Sequence, residues 1–235
     1  MENERYQPAP QVLEQLKQIN FVAVVGPSAV GKTTLIREAM KHDATLHLVL
    51  NNTSRDPRPD EREGIDYRFE SRARMEEGIM RHEFVQVAPS VFGDLYATSA
   101  DDYLPEAVNL LPVLADAMPV FRALPFKSIR TIYVVPPDWD TWQQRLKQHR
   151  FSADKLMKRF EEGKRSLEFA WADNTTQFVI NGDLMTAVDD FVLLTLGRPL
   201  PERLQADQEK ARDIVRNLLE KVGDVMRDPA AVSEQ

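Results

Sequence analysis

The chain has 235 residues, 43% of them hydrophobic, and its 30 Lys and Arg face 37 Asp and Glu for a formal net charge of -7. That length suits one large α/β domain with appendages, and the acidic balance argues against a general polyanion binder such as a non-specific nucleic-acid protein. Cysteine is absent, which excludes disulfide frameworks, thiolate metal sites and cysteine nucleophiles and agrees with a reducing, cytoplasmic setting.

Residues 1–10 are polar and lack an apolar signal core, and no run approaches the ~18 apolar residues of a membrane span. In chain order, residues 11–19 read as a short amphipathic lead-in helix and residues 21–25 as a buried strand. Gly26-Pro27-Ser28-Ala29-Val30-Gly31-Lys32-Thr33 follows, a complete G-x-x-x-x-G-K-[ST] phosphate loop ahead of a helical segment over 34–40. The glycines let the backbone turn so that successive N–H groups and a helix N-terminus point at a polyphosphate. Lys32 adds a movable positive charge and Thr33 a hydroxyl for Mg2+. This pattern predicts a nucleoside triphosphate site.

A second apolar run occupies 46–50, after which residues 51–63 give up apolar periodicity for charge and proline, the mark of a loop. Short strands at 67–69, 84–88 and 95–98 around a helix near 74–81 predict a small inserted subdomain. Strands are expected again at 110–116 and 129–135, the latter closed by Pro136-Pro137, with a helix starting near Asp138. Charged helical stretches at 139–149 and 153–169, a strand at 177–180 and a helix at 184–196 complete the alternation. The order implies an α/β fold of the P-loop NTPase type, a mostly parallel sheet with helices on both faces. Beyond it, Leu204, Ala211, Ile214, Leu218, Val222 and Val225 form one stripe of a further helix over 204–226. That stripe suits docking on the same domain or pairing with a second copy.

The stretch from Asn51 to Tyr67 places Arg55 and Arg58, two planar forks suited to phosphate, among prolines that stiffen the loop. Taken alone it reads equally as a solvated mixed-charge loop. The histidines His42, His47, His82 and His149 lack metal-like spacing. Trp139 and Trp142 read as packing residues at helical spacing, and Ser28 and Ser99 have no histidine partner for nucleophilic work.

Thr53-Ser54-Arg55-Asp56-Pro57-Arg58-Pro59-Asp60-Glu61 with Gly64, Asp66, Tyr67 and Phe69 resembles the acceptor-binding stretch T-T-R-x-P-R-x-G-E-x-x-G-x-D-Y-x-F of guanylate kinases. Phe92-Gly93-Asp94-Leu95-Tyr96-Ala97-Thr98 is similar to that family's F-G-N-x-Y-G-[ST], and Val179-Ile180-Asn181-Gly182-Asp183-Leu184 to its V-I-V-N-D-D-L. The resemblance covers roughly residues 20–196 in unbroken order. It implies an extension over 1–19, a kinase domain over 20–198 with an acceptor-binding subdomain near 51–99 and a helical lid near 138–165, and a C-terminal helical extension over 199–235.

It also implies the roles. Gly26, Ser28, Ala29, Gly31, Lys32, Thr33, Thr34 and Asn181 would hold ATP, with Thr33 on Mg2+. Asn51, Arg55, Arg58, Tyr67, Gln86, Tyr96, Thr98 and Asp116 would hold the acceptor, and Lys32, Arg145, Arg150 and Arg159 would serve catalysis, the arginines from the lid. The implied reaction moves the γ-phosphoryl of ATP to GMP or dGMP. No nucleic-acid or membrane partner is implied, and the terminal helix is a candidate homo-oligomer contact. The chain departs from the family where the base would be read. Asn51 replaces a serine, Gln86 replaces a glutamate, and the family's D-x-D-x-Q-G is reduced to Leu114-Ala115-Asp116-Ala117-Met118-Pro119. A kinase for a different phosphorylated acceptor, and a weakly active interaction module built on the same fold, stay open as alternatives.

Overall fold

A computed structural model describes residues 6–58, 61–90, 93–149 and 151–228. Pro59, Asp60, Phe92 and Arg150, all named above, lie outside the described residues. The chain divides into two compact units, Met1–Phe21 with Thr45–Leu111 and Ala117–Ile129, and Val22–Ala44 with Pro112–Asp116 and Arg130–Gln235.

The elements follow the hydrophobic patterning closely. They are α1 (Pro10–Leu16), β1 (Asn20–Val25), α2 (Lys32–His42), β2 (Leu46–Leu48), β3 (Asn52–Thr53), β4 (Arg68–Phe69), α3 (Arg72–Met80), β5 (Phe84–Pro89) and β6 (Leu95–Ser99). There follow β7 (Val108–Pro112), α4 (Met118–Ala123), β8 (Ser128–Val135), α5 (Trp139–Gln148), α6 (Ala153–Ala172), β9 (Gln177–Ile180), α7 (Leu184–Leu196) and α8 (Glu202–Arg227). Five strands form a sheet in the order β2-β7-β1-β8-β9, in which β2 pairs with β7 and β8 with β9 in parallel. The other four form a sheet in the order β4-β3-β6-β5, antiparallel at β3–β6 and β6–β5.

One strand ends sooner than its apolar run suggests. β7 stops at Pro112, the Val113 amide still donates to the Val24 carbonyl at 3.0 Å, and Ala115–Ala117 form a 3-10 turn before α4. Asp116, expected at a strand end, therefore sits on that turn. Helix α4 was not foreseen; Pro119 in its first turn suits a helix start.

In the first unit, Met75, Phe84 and Ala97 form a core with Tyr6, Ile79, Val87 and Leu95, so α3 covers one face of the four-stranded sheet. The rings of Phe21, Phe121 and Phe126 stack at 5.2 and 4.6 Å between Phe21 and each partner. In the second unit, Asp138 and Asp183 accept from the amides of Thr141 and Thr186 at 2.7 and 2.9 Å, which fixes the starts of α5 and α7. Gly163 of α6 lies so close to Trp142 of α5 that a Cβ there would meet the indole at 2.8 Å.

Helix α8 buries Leu204, Ala211, Val215, Leu218, Val222 and Val225 while packing on α6 and β9. Five of the six expected stripe residues are buried; Val215 is buried in place of Ile214, which is only half-buried. Gln208 adds a polar clasp. Its Oε1 accepts from the Phe178 amide at 2.7 Å and its Nε2 donates to the Phe178 carbonyl at 2.9 Å. One side chain thus supplies a donor and an acceptor to β9, the last strand in the sheet order.

Because Leu218 is fully buried, Leu218→Ala should cost about 2 to 5 kcal/mol in urea unfolding. Gly223→Ala should act in the opposite direction by about 1 kcal/mol, since a Cβ there meets nothing within 4 Å and Ala is the better helix former. A shift of both midpoints in the same direction would contradict this packing.

Candidate active site

β1 delivers the chain into a loop that takes positive φ at three positions, +148° at Gly26, +64° at Ala29 and +89° at Gly31. A Cβ on Gly26 would stand 2.4 Å from the Val134 carbonyl oxygen and one on Gly31 2.6 Å from Asn181 Nδ2, so both glycines are sterically required. The loop's carbonyls are tied outward. Trp142 Nε1 donates to the Ser28 carbonyl at 2.8 Å, and Asn181 Nδ2 donates to that of Val30 at 2.7 Å. Arg145 donates to the carbonyls of Val30 at 3.4 Å and Asn181 at 2.9 Å. Turning carbonyls away in this manner is what directs a loop's N–H groups toward an anion. Gly31 opens α2 without any side-chain cap, and Thr33 and Thr34 are exposed on its first turn.

Lys32 folds back over the loop, its Nζ donating to the carbonyls of Gly26 at 2.6 Å and Pro27 at 2.9 Å. Part of the residue reaches solvent. Burial nonetheless pushes its ammonium down to about 8, opposed by the Glu162 carboxylate and reinforced by the Arg159 charge. Glu162 itself accepts from Arg159 Nη1 at 2.6 Å and from the Ser28 hydroxyl at 3.4 Å. The second unit therefore gathers Ser28, Lys32, Arg145, Arg159 and Asn181, together with Glu162 and Trp142. Sequence reading had missed the carboxylate and had taken Trp142 for packing alone. Asp116 accepts from Arg165 Nε at 3.0 Å, an exposed pair that no spacing in the sequence announces.

The first unit gathers the remaining residues. Arg55 grips Glu61 through both terminal nitrogens at 2.6 Å each, and its Nε donates to the Tyr96 hydroxyl at 3.0 Å. Its guanidinium also lies 4.7 Å from the Tyr67 ring centre. Glu61 further accepts from the Arg58 amide at 2.9 Å, whereas the Arg58 guanidinium stays exposed and 3.9 Å from the carboxylate. Burial alone would raise the Glu61 carboxyl, but these partners hold it below its ordinary range. Burial raises the Tyr67 phenol. Gly64, at φ +71°, donates to the Tyr67 carbonyl at 2.9 Å and closes the turn that presents this ring.

Strand register decides what shares a surface. Thr53 pairs with Tyr96 and Gln86 with Thr98, so Thr53, Gln86, Tyr96 and Thr98 project from one face, opposite the face that Ala97 and Phe84 turn to α3. Gln86 and Thr98 are buried, and the Thr98 hydroxyl lies 3.1 Å from that of Tyr103. Asn51 stands just before β3, where its carbonyl receives the Arg68 amide at 2.9 Å.

A phosphate loop between a buried strand and a helix defines a P-loop nucleotide-binding protein. Residues 18–188 match the protein-family model described as Guanylate kinase. The guanylate kinase of Mycobacterium leprae is 31% identical over 191 residues, 78% of this chain and 89% of the relative. That of Sus scrofa is 31% identical over 167 residues, 69% of this chain and 84% of the relative. The crystal structure of guanylate kinase from Anaplasma phagocytophilum shares the fold, with a TM-score of 0.53 at 20% identity over 83% of this chain and 88% of that one. The chain belongs to the guanylate kinase family, and it is a kinase of the P-loop class.

The lowered Lys32 value has two consequences. Between about 8 and the ordinary 10.5 the folded, nucleotide-free protein holds fewer protons at Lys32 than the unfolded chain. This group therefore weakens the fold most below pH 8, and its penalty is relieved as pH rises through that window. A polyphosphate beside the ammonium restores the charged form, so ATP binding at pH about 9 should take up a proton. Calorimetry in buffers of different ionisation enthalpy measures that uptake, and Lys32→Met should abolish it.

Proposed function

We propose that this protein transfers the γ-phosphoryl group of ATP to GMP or dGMP, giving ADP and GDP or dGDP, in the cytoplasm. One observation carries the reading: a chain of this family keeps an intact phosphate loop and also builds a second cluster of Arg55, Arg58, Tyr67 and Tyr96 suited to a single phosphate. In this reading residues 51–99 bind the acceptor and residues 138–165 form the lid, with residues 1–19 and 199–235 as extensions.

The loop N–H groups, Ser28, Lys32, Thr33 and Thr34 would hold the ATP phosphates, with Asn181 fixing the loop's shape. Among the described residues no group of three His, Cys, Asp or Glu is placed to hold a metal. The exposed Thr33 hydroxyl suits Mg2+ arriving on the phosphates. The ion would supply charge neutralisation there.

On the acceptor side, Glu61 and Tyr96 already hold Arg55, which leaves the exposed Arg58 guanidinium to grip the acceptor phosphate. Gln86, Thr98, Asn51 and Asp116 would read the base. Guanine offers N1–H and an N2 amine, and the Gln86 amide oxygen can accept from them where adenine presents an acceptor instead. The acceptor's phosphate oxygen is itself the nucleophile. It bonds to the γ-phosphorus as the bond to the β–γ bridging oxygen breaks, and that oxygen leaves on ADP, so no general base is needed. Catalysis then rests on alignment and on cationic stabilisation, which Lys32, Arg145 and Arg159 would provide. Arg150 belongs to the same proposed set.

A coupled ADP-release assay across GMP, dGMP, AMP, CMP and UMP should show turnover with the guanine nucleotides alone. Turnover with none of them while ATP still binds would overturn the reading. Arg159→Ala should lower kcat by about 10^3 with KM for GMP retained. Gln86→Glu should lower KM for GMP by about 5- to 30-fold, the worth of a charge-assisted bond over a neutral one. An unchanged KM would place the base elsewhere.

A further inference from the structure

In a regular strand residues two apart face the same side. β5 breaks that rule. Phe84 pairs with Ser99 and turns to the α3 core, whereas Gln86 pairs with Thr98 and turns to the opposite face. A shift of register between Phe84 and Gln86 reverses the alternation. The bulge therefore lets one short strand anchor a core phenylalanine and present Gln86 alongside Tyr96 and Thr98.

A bulge on β5, which stands last in its sheet order, leaves backbone groups in need of partners. Tyr6 supplies them. Its hydroxyl accepts from the Phe84 amide at 2.7 Å and donates to the Phe84 carbonyl at 2.8 Å. The Tyr6 ring stacks on His82 at 5.9 Å, His82 Nδ1 lies 2.6 Å from the Gln7 carbonyl, and the Ala9 amide donates to the His82 carbonyl at 3.0 Å. His82 takes a left-handed φ of +58° to make these contacts. Burial pushes the Tyr6 phenol up to about 12, so its hydroxyl keeps its proton and both bonds across the working pH range. Tyr6 precedes residues 18–188, which match the family, so the brace comes from outside the matched segment.

We infer that Tyr6 is a positioning residue for acceptor recognition: by holding the Phe84 backbone at the bulge, it fixes the face to which Gln86 points. The inference rests on the reading of Gln86 as a base-contacting residue.

Tyr6→Phe in the full chain keeps the ring and its stacking and removes only the hydroxyl. It should raise KM for GMP by about 5-fold, the effect of a lost hydrogen bond, with KM for ATP unchanged. Gln86→Ala should raise the same KM, and adding Tyr6→Phe to it should raise KM no further, because both act through one group. A wild-type KM for GMP in Tyr6→Phe, beside a raised one in Gln86→Ala, overturns the role of Tyr6 and leaves the site reading intact. A wild-type KM in Gln86→Ala overturns that reading and this inference together. If Tyr6→Phe does not fold, His82→Asn removes the ring under Tyr6 while tolerating the left-handed backbone. It must shift KM for GMP in the same direction, and no shift there also overturns the inference.

Discussion

A backbone loop that points its N–H groups at an anion must hold its carbonyls elsewhere, and the second unit is arranged around that requirement. Asn181 after β9, Arg145 and Trp142 on α5, and Lys32 on α2 each bond to a loop carbonyl. The glycines then become obligatory for a steric reason, because Val134 and Asn181 crowd the positions where side chains would stand. Trp142 links this loop to α6, since its ring lies against Gly163 while its N–H reaches Ser28. A large indole and a missing Cβ fit together here as a pair.

Charge is handled the same way in both units. Two of the cations suited to phosphate are answered by a carboxylate of the chain, Arg55 by Glu61 and Arg159 by Glu162 within reach of Lys32, whereas Arg145 bonds to the carbonyls of Val30 and Asn181. An unpaired cation in a partly dehydrated site is costly, and an internal carboxylate relieves that cost without ligand. The two differ in rigidity. Arg55 and Glu61 are locked by two parallel bonds, Tyr96 and the Arg58 amide, while Glu162 holds Arg159 through one short bond and Ser28 through a long one.

Two strands at the ends of their sheet orders, β5 and β9, receive polar partners from outside the family-matched segment. Tyr6 meets the amide and carbonyl of Phe84, and Gln208 meets those of Phe178. Each uses one side chain as donor and acceptor to one residue, the smallest unit of strand pairing, and each thereby occupies backbone that would otherwise invite pairing with another chain. The apolar stripe on α8 is buried against α6 and β9 of its own chain.

The amino-acid sequence by itself determined whatever depends on neighbours in the chain. The phosphate loop, the spans of β9 and α7, the Asp138 cap and the buried stripe of α8 follow from local spacing, because helix and strand periods are properties of consecutive residues. β7 ends at Pro112, short of its apolar run, and the chain turns at Ala115–Ala117 before α4. Tertiary structure alone decided the pairings that bridge long stretches of chain: Ser28 with Glu162, 134 residues apart, Trp142 with Ser28, 114 apart, and Tyr6 with Phe84, 78 apart. It also decided which way Gln86 faces, since one extra residue in β5 reverses the alternation. Such contacts arise when separate elements pack together, and no local period encodes which carbonyl an indole will reach or which edge a tyrosine will cover.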